Sequence, residues 1–486
     1  MGRGPQPGPA LSPRSDSPSG SRVAVVGGGL AGASAALACA DAGADVVLLE
    51  VRPRLGGAAY SFRRDGLWID NGQHVFLRCC TAYRAFLERV GALGAAVLQR
   101  RLSIPVLAPG GRAERLERNA MPAPLHLAAS LARYRHLTLS ERVRCARTAL
   151  ALARLDREDP ALDRVIFGDW LAERGESPAA VEALWNLIAL PTLNLPASAA
   201  SLGLAAHVFQ IGLLDRRDAG DVGYAGAPLS NLHDEPARRA LSAAGADVRL
   251  RWRAERIASD GRGFEIEGPA GKIAADAVVL AVPPARAAGL LPAGALPYPD
   301  RLERLGESPI VNLHVVYDRA VTDLPFAAAV ASPVQWVFDR TASSDLASGQ
   351  YLAVSLSGAT EEITLRPEPL RERFLPALAE LFPGARDARV ERFFATREPA
   401  ATFRAAPGVA RLRPGARTRV PGLVLAGAWT DTGWPATMEG AVRSGLTAAE
   451  EVVTTLAGDR PAGAPARVSD AMPPVAAGLE VEATPR

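Results

Sequence analysis

"GGGLAGASAALACADAGADVVLLE" (residues 27–50) is the stretch that decides the fold. The apolar run just before it, RVAVV, and the run ADVVLLE at its end are typical of buried β-strands. The Ala- and Leu-rich segment between them is typical of a helix that ends at Gly43. Gly27, Gly29 and Gly32 fit the pattern G-x-G-x-x-G at the turn from strand to helix. The sequence therefore predicts an α/β fold with a Rossmann-like dinucleotide-binding unit.

The same unit predicts how a dinucleotide would be held. Backbone N–H groups at the start of the helix, near Leu30 and Ala31, are suited to bind a pyrophosphate. Glu50 follows Gly32 by eighteen residues, where an acid accepts hydrogen bonds from a ribose. An acid at this position also repels a 2′-phosphate, which argues against NADP. NAD and FAD remain as alternatives at this point.

Composition and length narrow the classes further. A chain of 486 residues exceeds the span of one hydrophobic core, which predicts two domains. A net charge of +3 without a basic stripe argues against a nucleic-acid partner. No apolar run reaches the roughly 18 to 20 residues needed to cross a bilayer. The four cysteines show no metal-ligand spacing, and the adjacent pair Cys79–Cys80 is ill suited to a disulfide, so a reduced, cytoplasmic location is expected. Residues 1–20 and 458–486 are predicted to be disordered tails.

Two longer segments resemble the FAD-containing amine oxidase and phytoene desaturase superfamily. EVRPRLGGAAYSFRRDGLWIDNGQH (50–74) has a second glycine pair at that superfamily's spacing after the acid. GLVLAGAWTDTGWPATMEGAVRSGLTAAEEV (422–452) is similar to its carboxy-terminal FAD segment. The resemblance implies FAD as the cofactor, bound by a GR2-type FAD domain beside an α+β substrate domain. The residues that it implies in FAD binding are Gly27, Gly29, Leu30, Ala31, Gly32, Glu50, Val51, Arg52, Gly56, Gly57, Ala58, Asn71, Gly72, Gln73, Ala254, Gly427, Ala428, Thr437, Met438 and Glu439.

Two of these positions depart from the superfamily pattern. Many relatives have an arginine where this chain has Ala58 and an acid where it has Ala428. Asp431 is a candidate for the missing carboxylate, and weaker FAD binding is expected. The resemblance also divides the chain: residues 21–100, 236–294 and 411–457 are expected to form the FAD-binding domain, and residues 101–235 and 295–410 the substrate domain.

Four segments are similar to the squalene-associated branch of this superfamily, the hydroxysqualene dehydroxylases. They are DNGQHVFLRCCTAYRAFLERVG (70–91), LWNLIALPTLNLPASAAS (184–201), QWVFDR (335–340) and WPATMEGAVRSG (434–445). The branch implies reductive dehydroxylation of hydroxysqualene to squalene in hopanoid biosynthesis. A carotenoid desaturase or flavin amine oxidase is the alternative, and a non-catalytic prenyl-binding scaffold of the same fold is a third reading.

Loss of a hydroxyl group requires an acid to protonate it. In the superfamily the loop IDNGQH passes the flavin ring, and His74 is the best acid on it because imidazole titrates near neutral pH. Asp70 is better suited to hold the loop, and Glu439 is expected to cap the final helix and to meet groups beside the flavin. The other histidines lack ligand-like pairing, so no metal site is expected.

The segment MPAPLHLAASLARYRHLTLSERVRCARTALALARLD (121–156) has apolar residues at helical spacing with arginines between them. It predicts either two helices that cover the core or a basic amphipathic face on an anionic lipid surface. A polyprenoid substrate favours membrane-surface association, because such a molecule is almost insoluble in water.

Overall fold

The computed structural model describes residues 20–458, which leaves the two predicted tails, except Gly20 and Gly458, outside the described residues. The described strands are β1 Arg22–Val26, β2 Asp45–Glu50, β3 Ser61–Arg64, β4 Leu67–Asp70, β5 Val75–Leu77, β6 Ala96–Leu98, β7 Ser103–Ala108, β8 Arg112–Glu117, β9 Val222–Ala225, β10 Asp247–Leu250, β11 Arg256–Ser259, β12 Phe264–Gly268, β13 Gly271–Ala275, β14 Ala277–Leu280, β15 Glu307–Tyr317, β16 Phe326–Ala329, β17 Trp336–Asp339, β18 Gln350–Ser357, β19 Val390–Phe403 and β20 Leu423–Leu425.

The α-helices are interspersed with these strands along the chain. They are α1 Leu30–Asp41, α2 Thr81–Arg89, α3 Ala128–Arg133, α4 Leu139–Leu152, α5 Phe167–Glu173, α6 Pro178–Ala180, α7 Asn186–Leu193, α8 Leu202–Phe209, α9 Ser230–His233, α10 Glu235–Ala243, α11 Pro284–Leu290, α12 Arg301–Arg304, α13 Pro367–Leu381 and α14 Met438–Gly458. One π-helical turn precedes α7 and another follows α8: Val181–Trp185 and Gln210–Leu214.

A five-stranded parallel sheet, in the order β10-β2-β1-β14-β20, confirms the predicted α/β fold. Its central strands consist almost entirely of Val, Ala and Leu and are buried on both faces, as parallel strands between helical layers require. The predicted strand-helix-strand unit is observed as β1, α1 and β2. The other three strands come from residues 247–250, 277–280 and 423–425, so the sheet joins parts of the chain that are far apart in sequence.

The last helix, α14, packs directly against α1. An added Cβ on Gly445 would overlap with the carbonyl oxygen of Ala31 and with the hydroxyl of Ser34. That hydroxyl donates hydrogen bonds to the carbonyls of Ala31 (3.0 Å) and Val442 (3.3 Å). The amino-terminal glycine turn and the carboxy-terminal helix therefore lie on the same side of the sheet and border one crevice.

A second, mixed sheet of seven strands, in the order β19-β15-β18-β17-β16-β7-β8, lies in the other half of the protein. Helices α5 and α8 and the π-helical turn before α7 bury an aromatic cluster in which Phe167 contacts Trp170, Trp185 and Phe209 at centroid distances of 5.7 to 6.3 Å. A small sheet, β5-β9-β6, pairs residues 222–225 with strands from residues 75–98. Residues 222–225, predicted to belong to the substrate domain, thus pair with strands of the predicted FAD-binding segment. Among the helices of residues 20–458, none has the length and apolar character needed to span a membrane.

The close contact between α1 and α14 predicts that a side chain at position 445 destabilises the protein. We expect Gly445→Ala to lower the free energy of unfolding by about 1–3 kcal/mol, because the new methyl group overpacks a contact with backbone. Gly289→Ala is the matched control: it also adds a methyl group to a helix, but nothing lies within 4 Å of the new atom. Urea unfolding of both variants measures the difference, and equal stability of the two would contradict direct packing of α14 on α1.

Candidate active site

The glycine turn between β1 and α1 has no space for side chains. Gly27 has φ +111°, and a Cβ there would overlap with the carbonyl oxygen of Ala281. A Cβ on Gly32 would overlap with the carbonyl oxygen of Gly27, so this glycine permits the close approach of α1 to the turn. Helix α1 begins after Gly29, which provides no side-chain cap, and its first N–H groups, those of Leu30 and Ala31 among them, lie at this turn.

Glu50 is tied to this turn from the end of β2. Its buried carboxylate accepts hydrogen bonds from the backbone N–H groups of Gly28 and Arg52, both at 2.6 Å. Val51 is exposed, so the chain turns outward directly after the acid. Trp252 N–H donates to the Glu50 carbonyl (2.9 Å), which brings the segment of Ala254 to the same edge of the sheet. The carbonyl of Ala254 accepts a hydrogen bond from Arg286 (2.6 Å).

The second glycine pair lies directly against the first turn. Gly56 N–H donates to the Gly28 carbonyl (2.9 Å), and a Cβ on Gly57 would come within 2.8 Å of the Gly29 Cα. Ala58 provides no charge here. The guanidinium of Arg54, however, donates to the Gly57 carbonyl (3.1 Å) and lies 3.5 Å from the centre of the Tyr60 ring.

The carboxy-terminal segment joins this crevice through Gly427, which has φ +147° and donates its N–H to the Ser444 hydroxyl of α14 (2.8 Å). Arg413, which the sequence did not single out, lies buried next to it and donates to the carbonyls of Ala428 (3.3 Å) and Thr430. Burial lowers the pKa of this guanidinium to about 10, where it still carries a charge at neutral pH. Asp431, the candidate replacement for an acid at position 428, is exposed.

The prediction that Glu439 caps α14 is wrong. Thr437 caps this helix, because its hydroxyl accepts the Gly440 N–H at 3.1 Å, and Met438 is the first helical residue. The Glu439 carboxylate instead accepts the backbone N–H groups of Ala82 (3.1 Å) and Tyr83 (2.8 Å) in α2. The physical reason is that α2 begins after Cys80, which makes no side-chain cap, so its first N–H groups need an acceptor from elsewhere.

The loop that follows β4 is held by Asn71. Its side-chain oxygen accepts Tyr60 N–H (3.0 Å), and its amide nitrogen donates to the Ala58 carbonyl (2.8 Å) and to Glu398 (2.9 Å). All the hydrogen-bonding groups of this side chain are thus engaged in the protein. The next side chain differs: the buried Nε2 of Gln73 has no hydrogen-bond partner among the described residues.

Asp70 also holds the loop that follows β4. Its carboxylate accepts hydrogen bonds from the Ser61 hydroxyl (2.7 Å) and Leu229 N–H (3.0 Å), and it forms a buried ion pair with Arg340 (2.7 Å). Arg340 also donates to the carbonyls of Ala225 and Ala227. With these partners the Asp70 carboxylate is a structural anchor for the loop.

His74 has one ring nitrogen engaged. Nδ1 lies 3.1 Å from the Gly72 carbonyl and must donate to it, since a carbonyl only accepts. Desolvation by burial lowers the pKa of His74 below its ordinary value of 6.5, although the hydrogen bond to Gly72 and the charges of Asp70 and Glu398 act in the opposite direction. The ring is therefore largely neutral at pH 7, and Nε2 is an acceptor until it takes up a second proton.

His207 is a polar group beside this site that the sequence did not point to. It lies on α8, its ring contacts that of Trp434 at a centroid distance of 4.9 Å, and its buried Nε2 has no hydrogen-bond partner among the described residues. Burial and nearby arginines lower its pKa to about 4. The contact places the apolar helix α8 next to the carboxy-terminal segment. Between residues 20 and 458, no group of three or more His, Cys, Asp and Glu side chains is arranged to hold a metal ion.

These features fit a flavin dinucleotide. Three glycine segments meet through close backbone contacts that a Cβ would block, Glu50 is tied to the first of them, and the buried Nε2 of Gln73 has no hydrogen-bond partner among the described residues. The family model of flavin-containing amine oxidoreductases matches residues 30–453. The chain belongs to this family. Its cofactor is FAD, and the superfamily resemblance of the sequence is confirmed. The individual contacts with FAD given above stay predictions.

Curated relatives include proteins of two activities. The chain is 30% identical over 445 residues to a hydroxysqualene dehydroxylase of Rhodopseudomonas palustris, with 89% of this chain and 98% of the relative covered. It is 28% identical over 479 residues to a probable zeta-carotene desaturase of Synechococcus elongatus, with the same two coverages. Cyclohexylamine oxidase from Brevibacterium oxydans has a similar fold, with a TM-score of 0.68 at 20% identity over 90% of this chain and 99% of that one.

Proposed function

We propose that this FAD-dependent oxidoreductase converts hydroxysqualene to squalene by reductive dehydroxylation, as a step of hopanoid biosynthesis. The observation that carries the proposal is the buried ion pair between Asp70 and Arg340. Asp70 begins the segment DNGQHVFLRCCTAYRAFLERVG, which also contains His74, and Arg340 ends the segment QWVFDR. The ion pair thus joins two segments through which the sequence resembles the hydroxysqualene dehydroxylases. The 30% identity to a hydroxysqualene dehydroxylase supports the same reading.

A neutral polyprenoid suits the surroundings of this loop. Helix α8 is formed mainly by Leu, Ala and Phe, and the contact between His207 and Trp434 places it beside the carboxy-terminal FAD segment. Apolar walls bind such a chain by the hydrophobic effect, at about 0.8 kcal/mol for each CH₂ group removed from water. Exclusion of water also protects an allylic cation that forms when the carbon–oxygen bond breaks.

The protein's own contribution to the reaction is orientation and proton transfer. Reduced FAD supplies the two electrons and the hydrogen that replace the hydroxyl. His74 is the group that we assign to protonate the departing hydroxyl, through Nε2, while Nδ1 stays fixed to the Gly72 carbonyl. Asp70 and Asn71 keep the loop in place through their hydrogen bonds within the protein.

The reaction is tested with purified, chemically reduced holoenzyme under anaerobic conditions. We expect squalene from hydroxysqualene, measured by gas chromatography and mass spectrometry. Oxidised holoenzyme is incubated in parallel with phytoene and with a primary amine. Desaturated phytoene without squalene would replace the proposal with a carotenoid desaturase, and peroxide formation from the amine alone would replace it with an amine oxidase. No turnover of any substrate by flavin-loaded protein would favour a prenyl-binding scaffold.

The role of His74 predicts a pH dependence. Only the doubly protonated ring can give up a proton from Nε2, and burial lowers its pKa, so kcat is expected to rise as the pH falls below 6.5. We expect His74→Gln to lower kcat by about 10²–10⁴-fold and to remove this acid limb, with the flavin absorbance unchanged. An unchanged pH profile in the variant would assign proton donation to another group.

We also propose that the protein docks on the anionic inner face of the cell membrane. Helix α4 and the segment before α3 expose large apolar side chains, here called the apolar patch: Met121, Leu125, Leu139, Val143 and Leu150. Leu139 is 72% exposed, and the exposure of a large apolar side chain to water is unfavourable unless another apolar surface covers it. Leu139, Val143 and Leu150 recur at helical spacing on one face of α4, opposite the buried Cys145, Thr148 and Leu152.

The charge around the apolar patch is complementary to anionic lipid. Residues 121–154 contain six arginines and one acid, Glu141. The Glu141 carboxylate is engaged by Thr138 and by the Ser177 hydroxyl (2.5 Å). Arg144 and Arg147 line an open groove next to Leu139 and Val143. Each arginine near an anionic membrane surface contributes roughly 1 kcal/mol. The buried face of α4 covers the core, as one of the two predicted readings has it, and we assign the opposite, exposed face to anionic lipid.

Vesicle flotation tests the docking surface. We expect the protein to float with vesicles of phosphatidylglycerol and phosphatidylcholine, and the triple variant L139S/V143S/L150S to bind at least tenfold more weakly, because apolar area is lost. The control variant L93S/V97S/V165S removes three exposed apolar side chains elsewhere on the surface. Equal loss in both variants, or no binding to anionic vesicles, would contradict this surface.

A further inference from the structure

Strand β15 carries buried polar side chains beneath the loop of residues 70–74. Asn312 and His314 lie on one face of this strand and are fully buried. Thr396 on β19 is the cross-strand neighbour of Asn312. Buried polar groups are costly unless each donor and acceptor is paired, so the pairing of these side chains can be followed atom by atom.

His314 and its neighbours are completely paired. The Thr396 hydroxyl donates to the Asn71 carbonyl (3.1 Å), so its oxygen accepts from Nε2–H of His314 (3.0 Å). Nδ1 of His314 then accepts from the Tyr351 hydroxyl at 2.6 Å. Burial lowers the pKa of His314 to about 3, which agrees with a neutral ring that has one donor and one acceptor. This chain of hydrogen bonds ends on the Asn71 carbonyl and leaves nothing unpaired.

Asn312 is paired on one side only. Its Nδ2 donates to the Asn71 carbonyl at 3.1 Å. This contact fixes the orientation of the amide, since a carbonyl cannot donate to the side-chain oxygen. The oxygen, Oδ1, is buried and has no hydrogen-bond partner among the described residues. Asn312 lies beside Gly72: a Cβ added there would be 3.5 Å from Nδ2.

A second unpaired group belongs to the same loop. Gln73 Nε2 is buried and has no partner among the described residues. The Gln73 donor and the Asn312 acceptor are therefore both unpaired near this loop. The side chains around them are engaged: Asn71, Asp70 and Thr396 bond to other protein groups. A ligand with both acceptors and N–H donors at its edge would pair both atoms, and a flavin ring is such a ligand.

We propose that Oδ1 of Asn312 accepts a hydrogen bond from a ring N–H of the bound flavin that is present only in the reduced state. The reduced ring has an N–H at its central nitrogen, where the oxidised ring has a bare acceptor. An amide oxygen at this position stabilises the reduced form and repels the oxidised one, so Asn312 raises the midpoint potential of the cofactor. The inference requires bound FAD alone and does not depend on which substrate is reduced.

The midpoint potential tests this role directly. Asn312→Leu keeps the approximate volume and removes the acceptor. We expect at least a tenfold loss in preference for the reduced flavin, which for a two-electron couple is a fall of about 30 mV. Equilibrium reduction against reference dyes measures the potential of the holoenzyme without any substrate. The affinity for oxidised FAD is expected to stay within about threefold of the parent protein.

Thr396→Val is the matched control, because it removes the other hydrogen bond to the Asn71 carbonyl without touching the unpaired oxygen. Equal falls in the two variants would show that loosening of the loop is responsible and would overturn the proposal. So would an unchanged potential in Asn312→Leu, as expected if a buried water pairs with Oδ1. Should Asn312→Leu fail to fold, Asn312→Ala serves in its place: it also removes the acceptor, the same fall of about 30 mV is expected, and an unchanged potential would overturn the proposal.

Discussion

The close contact of backbone with backbone at three glycines is the constraint on which the rest of the structure depends. Gly32 allows α1 to approach the first turn, and Gly445 allows α14 to approach α1. Gly57 allows the second glycine pair to contact the first turn, where a Cβ on Gly57 would lie only 2.8 Å from the Gly29 Cα. Segments from residues 27–57 and 427–445 meet only because no side chain separates them. The region where these segments meet is therefore made largely of main chain, and its shape follows from where side chains are absent.

Buried charged side chains connect further segments of the chain that are not in direct backbone contact. Arg340 joins the seven-stranded sheet to Asp70, and Arg413 lies beneath the carbonyls of residues 428–430. Glu439 joins α14 to the start of α2. Removal of Asp70 or Arg340 would leave an unpaired charge in the interior, typically at a cost of about 3–5 kcal/mol. Removal of Arg413 or Glu439 would instead leave buried backbone groups without these partners. The Asp70–Arg340 ion pair thereby fixes the loop of residues 70–74 relative to the seven-stranded sheet.

The parts of the fold that were predictable are those written in local pattern. The strand-helix-strand unit follows from residues close together in sequence, whereas the second glycine pair and the carboxy-terminal segment were recognised through the family resemblance. Arg340, Arg413 and Asn312 have no such signal, because a lone polar residue in a strand or loop has no periodicity. Their hydrogen-bond partners are also distant in sequence: 270 positions for Arg340, 15 to 17 for Arg413 and 241 for Asn312. Glu439 was misassigned for the same reason: local capping rules gave it to its own helix, whereas tertiary packing turned it to another.

The two departures from the superfamily pattern have a common physical interpretation. At position 58 the missing arginine is offset by Arg54, whose guanidinium donates to the Gly57 carbonyl one residue earlier. At position 428 the missing acid leaves a turn whose carbonyls are engaged by Arg413 from the interior. Arg413 thus fixes the backbone of this turn in the absence of an acid at 428, and backbone N–H groups do not depend on the identity of residue 58 or 428. The predicted contacts of FAD with main-chain N–H groups and with Glu50 require neither of the two charged side chains.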